Sequence, residues 1–304
     1  RIPVYEHFWS DTRKIWSEQG HMKPDEDYST HFDLDIICSS GYNTVADLDY
    51  VNETLEETED TLTYRNGNGA VFKVHKKHDS TPEHVGFDCK TPEDWYGHYK
   101  PMIDADPRRL NIPEYLRVKE IARKENRFFM PTFAHCFEQM KDLVGHETML
   151  VGMALEPEWI ADMAMTFAKQ HVALQEQLFS ACGKPDGIWY YEDMGFKLRP
   201  FMSPAMYREI IQPAHKYTID FAKSLDLPVI MHSCGFVEPL LPDMIEAGID
   251  ALQVLEIKAG MDPFRVQKNF GEHLSIMGGI DVRTICSNDR KQIDAELEAK
   301  VPVL

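Results

Sequence analysis

The chain has 304 residues, with 32 Lys and Arg against 50 Asp and Glu, a net charge of −18, 43% apolar and 27% charged residues. This length suits one large domain or two small ones, and the composition excludes wholesale disorder and collagen-like structure. The acidic surplus excludes a general binder of nucleic-acid phosphates, although not a single pocket for a small anion.

Residues 2–8 read as a short strand, and 11–20 as a helical turn or two ended by Gly20. Leu34 to Cys38 reads as a second short strand. Thr61-Leu62-Thr63-Tyr64 and Val71-Phe72-Lys73-Val74 alternate at period two around Asn66-Gly67-Asn68-Gly69. Asn-Gly between alternating runs predicts an antiparallel hairpin, within an excursion from the main fold over about 55–78. From about residue 110 the pattern alternates helix and strand. Helices are predicted over 113–126, 157–182, 203–225, 239–247, 263–270 and 289–300. Proline opens the first turn of several, Gly183, Gly248 and Gly271 stop three, and Ser203 is a predicted N-cap. Strands are predicted over 127–133, 187–193, 228–232, 251–255 and 274–277.

The later strands are short apolar runs without alternation, which suits a parallel sheet buried on both faces. Such β-α alternation leaves a doubly wound sheet or a (β/α)8 TIM-type barrel. No glycine-rich dinucleotide fingerprint follows the strands, so the barrel is favoured. No repeat, linker or composition shift divides the chain, and one domain over 1–304 is predicted. No apolar stretch approaches the ~18–20 residues that a membrane helix needs. Cysteines at 38, 89, 136, 182, 234 and 286 stand far apart with no CxxC pair, which predicts reduced thiols in a cytoplasmic protein. The opening Arg1-Ile2-Pro3 reads as neither a signal peptide nor a natural start, so the chain is expected to be a fragment.

In either fold ligands bind at the C-terminal ends of the strands. The polar residues there are Asp35, His135, Cys136, Tyr191, Glu192, Asp193, His232, Cys234, Glu256 and Asp281. His232 and Cys234 stand at i and i+2, so they project to one side if the strand runs through both. An imidazole and a thiolate are a natural zinc pair. A third ligand is not evident; Glu256 and Cys286 are candidates. Asp193, Asp35 and Asp281 are candidate catalytic acids that could accept a proton, orient a ligand or face a cationic centre. Tyr191, Glu192 and Glu256 are candidates for contacting substrate or cofactor. Gly235 and Gly279 leave room for a sharp turn or close approach.

His232-Ser-Cys-Gly, Leu241-Pro-Asp-Met-Ile-Glu-Ala-Gly-Ile-Asp250, Lys258-Ala-Gly-Met-Asp-Pro263 and Gly278-Gly-Ile-Asp281 together resemble the uroporphyrinogen decarboxylase superfamily. The resemblance is dense over 186–286 and thin over 45–110. It is closest to the branch of corrinoid-dependent methyltransferases of the methylcobalamin:coenzyme M type. The resemblance implies a (β/α)8 barrel. It also implies a zinc ion held by His232, Cys234 and a later cysteine, activating a thiol to take a methyl group from a corrinoid. Cys286 comes early for that cysteine, so the third ligand is expected to be replaced or to lie beyond Leu304, with the last β-α unit. In the decarboxylase branch, arginines after the first strand hold substrate carboxylates. Here Phe8 and Thr12 occupy those places, whereas Asp35 matches the family aspartate.

The expected activity is therefore a zinc-dependent methyltransferase acting between a corrinoid and a small thiol or methyl donor. The alternatives are a decarboxylase of uroporphyrinogen or another polycarboxylate, and a non-catalytic tetrapyrrole or corrinoid binder. Expected partners are a small-molecule substrate and a corrinoid protein, with no nucleic acid and no membrane. A homodimer is compatible with this reading.

Overall fold

The computed structural model describes residues 2–302. The chain divides into two compact units. One takes residues up to Pro131, with Asp142–His146 and Leu174–Asp186. The other takes Thr132–Lys141, Glu147–Ala173 and everything from Gly187 onward.

The first unit opens with helices α1 (Ser10–Glu18) and α2 (Tyr28–His31). Asp27 caps α2 by accepting the Thr30 N–H at 3.0 Å. The strand expected over 2–8 is not formed. Pro3 has no N–H to give to a ladder, and Ile2 and Val4 are exposed, so no apolar face is gained by pairing. Val4 instead donates its N–H to the Asp35 carboxylate at 2.6 Å and accepts the Asp35 N–H at 2.8 Å. Strand β1 (Ile36–Ser40) follows. Strands β2 (Glu53–Glu57), β3 (Thr61–Arg65), β4 (Ala70–His75) and β5 (Glu83–Phe87) form an antiparallel sheet in that order. Tyr64 pairs with Phe72 and Arg65 with Val71 across the Asn66–Gly69 turn. Asn66 closes that turn by accepting the Asn68 N–H at 2.9 Å, and Gly69 has φ +67°. After α3 (Pro92–Asp94), α4 (Ile112–Glu125) ends on Asn126 in the left-handed conformation.

Strand β6 (Phe128–Ala134) carries the chain from the first unit into the second. Helix α5 (Cys136–Leu155), absent from the expected elements, is broken at Gly145, where φ is 77° and ψ 160°. Helix α6 (Pro157–Cys182) ends at Gly183, which has φ +74°.

In the second unit the end of β6 joins β7 (Ile188–Tyr191), β10 (Val229–His232), β11 (Ala251–Gln253) and β12 (Ser275–Met277). All pair in parallel, in the order β6-β7-β10-β11-β12. The small hairpin of β8 (Gly195–Phe196) and β9 (Arg199–Pro200) follows β7. Helix α7 (Pro204–Met206) runs through a π turn (Tyr207–Ile211) into α8 (Gln212–Ser224). The connections that follow contain α9 (Leu241–Ala247) and α10 (Pro263–Phe270). Short α11 (Val282–Cys286) and α12 (Arg290–Lys300) come last. Ile188, Trp189, Tyr190, Val229, Met231 and Leu252 are wholly buried, each side chain contributing roughly 1.5–3 kcal/mol through burial. Consecutive apolar residues are buried together, as a parallel sheet covered on both faces requires. The result is a mixed α/β fold built on a parallel sheet, of the TIM-like kind. Among the described residues no helix is long and apolar enough to cross a membrane.

Candidate metal centre

The register of the parallel sheet builds the site. His232 pairs with Tyr191 on one side and Gln253 on the other. Residues just past these strand ends therefore share one edge of the sheet. β10 stops at His232, so the strand does not run through Cys234 as its sequence pattern assumed. The alternation survives the break. Ser233 turns inward, wholly buried, and accepts the Met194 N–H at 3.0 Å. Cys234 returns to the side of His232, with its Sγ 3.3 Å from Nε2.

Asp193, from the end of β7, completes the group. Its Oδ1 lies 3.2 Å from His232 Nε2 and accepts the Cys234 N–H at 2.9 Å. The Asp193 oxygen, His232 nitrogen and Cys234 sulfur all lie within 4.8 Å of one another. On the far side of the ring, His232 Nδ1 donates to the side-chain carbonyl of Gln253. This bond orients the ring and presents Nε2 to the other two donors, the arrangement by which metal-ligating histidines are held.

Burial pulls the His232 imidazole down, but the Asp193 carboxylate and the Cys234 sulfur outweigh it and raise the pKa to about 10. Burial likewise pushes the Asp193 carboxyl up, and its bond to His232 more than reverses this. Beside them, burial raises Glu138 to about 7 against the opposing charge of Lys141. Glu138 accepts the Asp193 N–H at 3.3 Å and a bond from the Lys141 ammonium.

Glu138 makes stability depend on pH. A carboxyl with a folded pKa above its unfolded value, ~4.3, keeps its proton longer in the folded chain. Its contribution is fully present below the unfolded value and is lost as pH rises toward about 7. Glu138→Gln should therefore flatten the fall in urea midpoint between pH 5 and pH 7.5, a difference of roughly 1–3 kcal/mol. An identical slope in both proteins would contradict this.

Two glycines make the close approach possible. A Cβ on Gly195 would overlap the Cys234 carbonyl and come within 2.8 Å of Gly235 Cα. Gly235 has φ +79°, and a Cβ there would lie 2.7 Å from the Gly195 carbonyl oxygen. Gly195→Ala is expected to cost about 1–3 kcal/mol through overpacking and to part the two loops. Thermal denaturation measured alongside metal affinity checks this; a variant unchanged in both would show that the contact is not needed.

The other candidates from the sequence lie as follows. Tyr191 stacks at a tilt on His232, ring centres 5.1 Å apart. Glu256 accepts the Gly235 N–H at 2.8 Å and so shapes the loop that carries Cys234. Asp193, not Glu256, is the carboxylate grouped with His232 and Cys234. Cys286 is exposed, at the end of α11. Asp281 caps α11 through the Arg283 N–H at 2.9 Å. The Arg283 guanidinium holds its carboxyl at about 2. These bonds give Asp281 a capping role. Gly279, with φ +85°, would bring a Cβ within 3.2 Å of Pro263. Asp35 belongs to the first unit and holds Val4. Glu192 is wholly buried between His135 and His215. A ligand beyond Leu304 lies outside the described residues. Gln253, Glu138 and His215 were not among the sequence candidates. Gln253 could have been found from its place beside His232 in the next strand.

Residues 197–301 match the sequence profile of the family described as uroporphyrinogen decarboxylase (URO-D). The resemblance to that superfamily carried by His232-Ser-Cys-Gly and the segments after it therefore stands over this part of the chain. In its fold the chain is similar to a methyltransferase from Methanosarcina mazei, with a TM-score of 0.57 and 16% identity, covering 87% of this chain and 74% of that one. No curated protein matches the sequence significantly.

Proposed function

We propose that the chain is a uroporphyrinogen-decarboxylase-like methyltransferase on a (β/α)8 barrel, dependent on zinc and using a corrinoid as the methyl carrier. The observation that carries this reading is the grouping of Asp193 Oδ1, His232 Nε2 and Cys234 Sγ. One nitrogen, one sulfur and one carboxylate oxygen suit zinc, and three protein ligands are the pattern of a catalytic site that keeps one position open. Bound there, zinc would lower the pKa of a thiol substrate and make it a nucleophile at neutral pH.

The chain's own residues supply the rest. Gln253 holds the His232 ring through Nδ1 and leaves Nε2 for coordination. The Cys234 N–H holds the Asp193 carboxylate through Oδ1. Glu138, with a pKa of about 7, is placed to take up or return a proton beside Asp193. The fold shared with a methyltransferase supports this reaction class. The match of residues 197–301 to the uroporphyrinogen decarboxylase profile supports a decarboxylase as the second reading, in which Asp35, bonded to the Val4 backbone, would be the acid.

The test follows methylcobalamin spectroscopically while zinc-loaded protein is mixed with a small thiol such as 2-mercaptoethanol. Demethylation is expected with zinc and should be lost in His232→Ala. Equal rates in the metal-free protein would refute the zinc-dependent reading.

A further inference from the structure

A second constellation begins one residue before Asp193. Glu192, His135 and His215 are wholly buried. Glu192 Oε1 lies 2.5 Å from His215 Nε2 and 3.4 Å from His135 Nδ1. The three ligand atoms are within 4.8 Å of one another.

The outer side of each ring is already engaged. Thr218 has one hydroxyl hydrogen, which it gives to the His215 carbonyl at 2.8 Å. Its oxygen must therefore accept from His135 Nε2, 2.9 Å away. The ring proton of His135 is thus placed on Nε2. The Nδ1 lone pair then faces the carboxylate, and Nδ1 has no hydrogen-bond partner. A lone pair against a buried anion is unfavourable unless a cation stands between them.

His215 has a matching outer partner, the Tyr207 hydroxyl, 2.9 Å from Nδ1. With its proton on Nδ1, His215 would offer Nε2 as a ligand. The Glu192 oxygens accept the Phe137 and Glu138 N–H groups at 2.9 and 3.1 Å. Ligating imidazoles usually donate their other N–H to an outer partner, and ligating carboxylates are themselves hydrogen-bonded. All three residues meet that description.

We propose that His135 Nδ1, His215 Nε2 and Glu192 form a second, buried divalent-metal site, separate from Asp193, His232 and Cys234. Two imidazoles and a carboxylate suit zinc. A metal ~2.1 Å from each ligand sets tetrahedral neighbours about 3.4 Å apart, the separation His135 Nδ1 and Glu192 Oε1 already have. The shorter His215 contact is the hydrogen bond that serves in the metal-free chain. Enclosed on all sides, the site fills as the chain folds and keeps its metal from chelators.

The test uses the full chain carrying His232→Ala and Cys234→Ser, grown on zinc, dialysed against EDTA while folded, and assayed for metal. About one zinc per chain should remain, to be released only by guanidinium. Adding Glu192→Gln should remove it. A folded, metal-free double variant overturns the inference. If the wild type meanwhile keeps one zinc, the centre at His232 and Cys234 stands without this one. Should the added substitution prevent folding, the double variant grown on cobalt decides. Visible d–d bands without thiolate charge transfer support the site, and a spectrum silent in the visible refutes it.

Discussion

Cys234→Ser is expected to weaken zinc binding at the proposed centre by more than about 100-fold while the protein stays folded. Zinc favours a thiolate, and a serine hydroxyl keeps its proton at neutral pH, so the variant offers a weak neutral oxygen instead. The fold should survive because the structural bond at this position comes from the backbone: the Cys234 N–H, not its side chain, reaches Asp193. Asp193 and His232 therefore stay in place while the sulfur is lost. Competition with a chromophoric chelator measures the affinity, and circular dichroism the fold. Zinc affinity within threefold of the wild type would show that Cys234 is not a ligand.

Glu192→Ala should have the largest effect on stability, a loss of about 3–5 kcal/mol. The carboxylate is wholly buried and joins separate elements. It accepts the first backbone N–H groups of α5 at Phe137 and Glu138, and it meets His215 from α8 and His135 from the end of β6. Alanine leaves the Phe137 and Glu138 N–H groups and the buried His215 without their acceptor, and each such group carries a cost of roughly 1–3 kcal/mol. Glu192→Gln keeps the shape and one acceptor and should cost less. Urea denaturation of the two variants checks this; an alanine variant within 1 kcal/mol of the wild type would mean that the carboxylate holds nothing together.

Much of this fold was legible because its signals are local. Asn66-Gly67 named the β3-β4 turn, Gly183 the end of α6, and unbroken apolar runs named the parallel strands. The expected strand at 2–8 failed for a reason also visible locally, since Pro3 withholds a donor. α5 was missed because Gly145 breaks its helical backbone and hides its length in the pattern. The nearness of His232 and Cys234 was legible as His-x-Cys, because two residues along a chain keep one side even after the strand ends. Asp193 was seen as an acid at a strand end that could face a cationic centre, but not as the partner of that pair. Which strand lies beside β10 is a long-range fact, and only the pairing of His232 with Tyr191 brings Asp193 to Cys234. His215 and Gln253 escaped for the same reason.

The most direct measurement of the central claim is zinc K-edge X-ray absorption on the zinc-loaded wild type and on Cys234→Ser. A sulfur shell at ~2.3 Å with nitrogen and oxygen at ~2.0–2.1 Å is predicted for the wild type. The sulfur shell should vanish in Cys234→Ser, whether or not the sulfur-free site at Glu192 is filled. Zinc bound with no sulfur neighbour, or a wild type that binds none, would contradict the account.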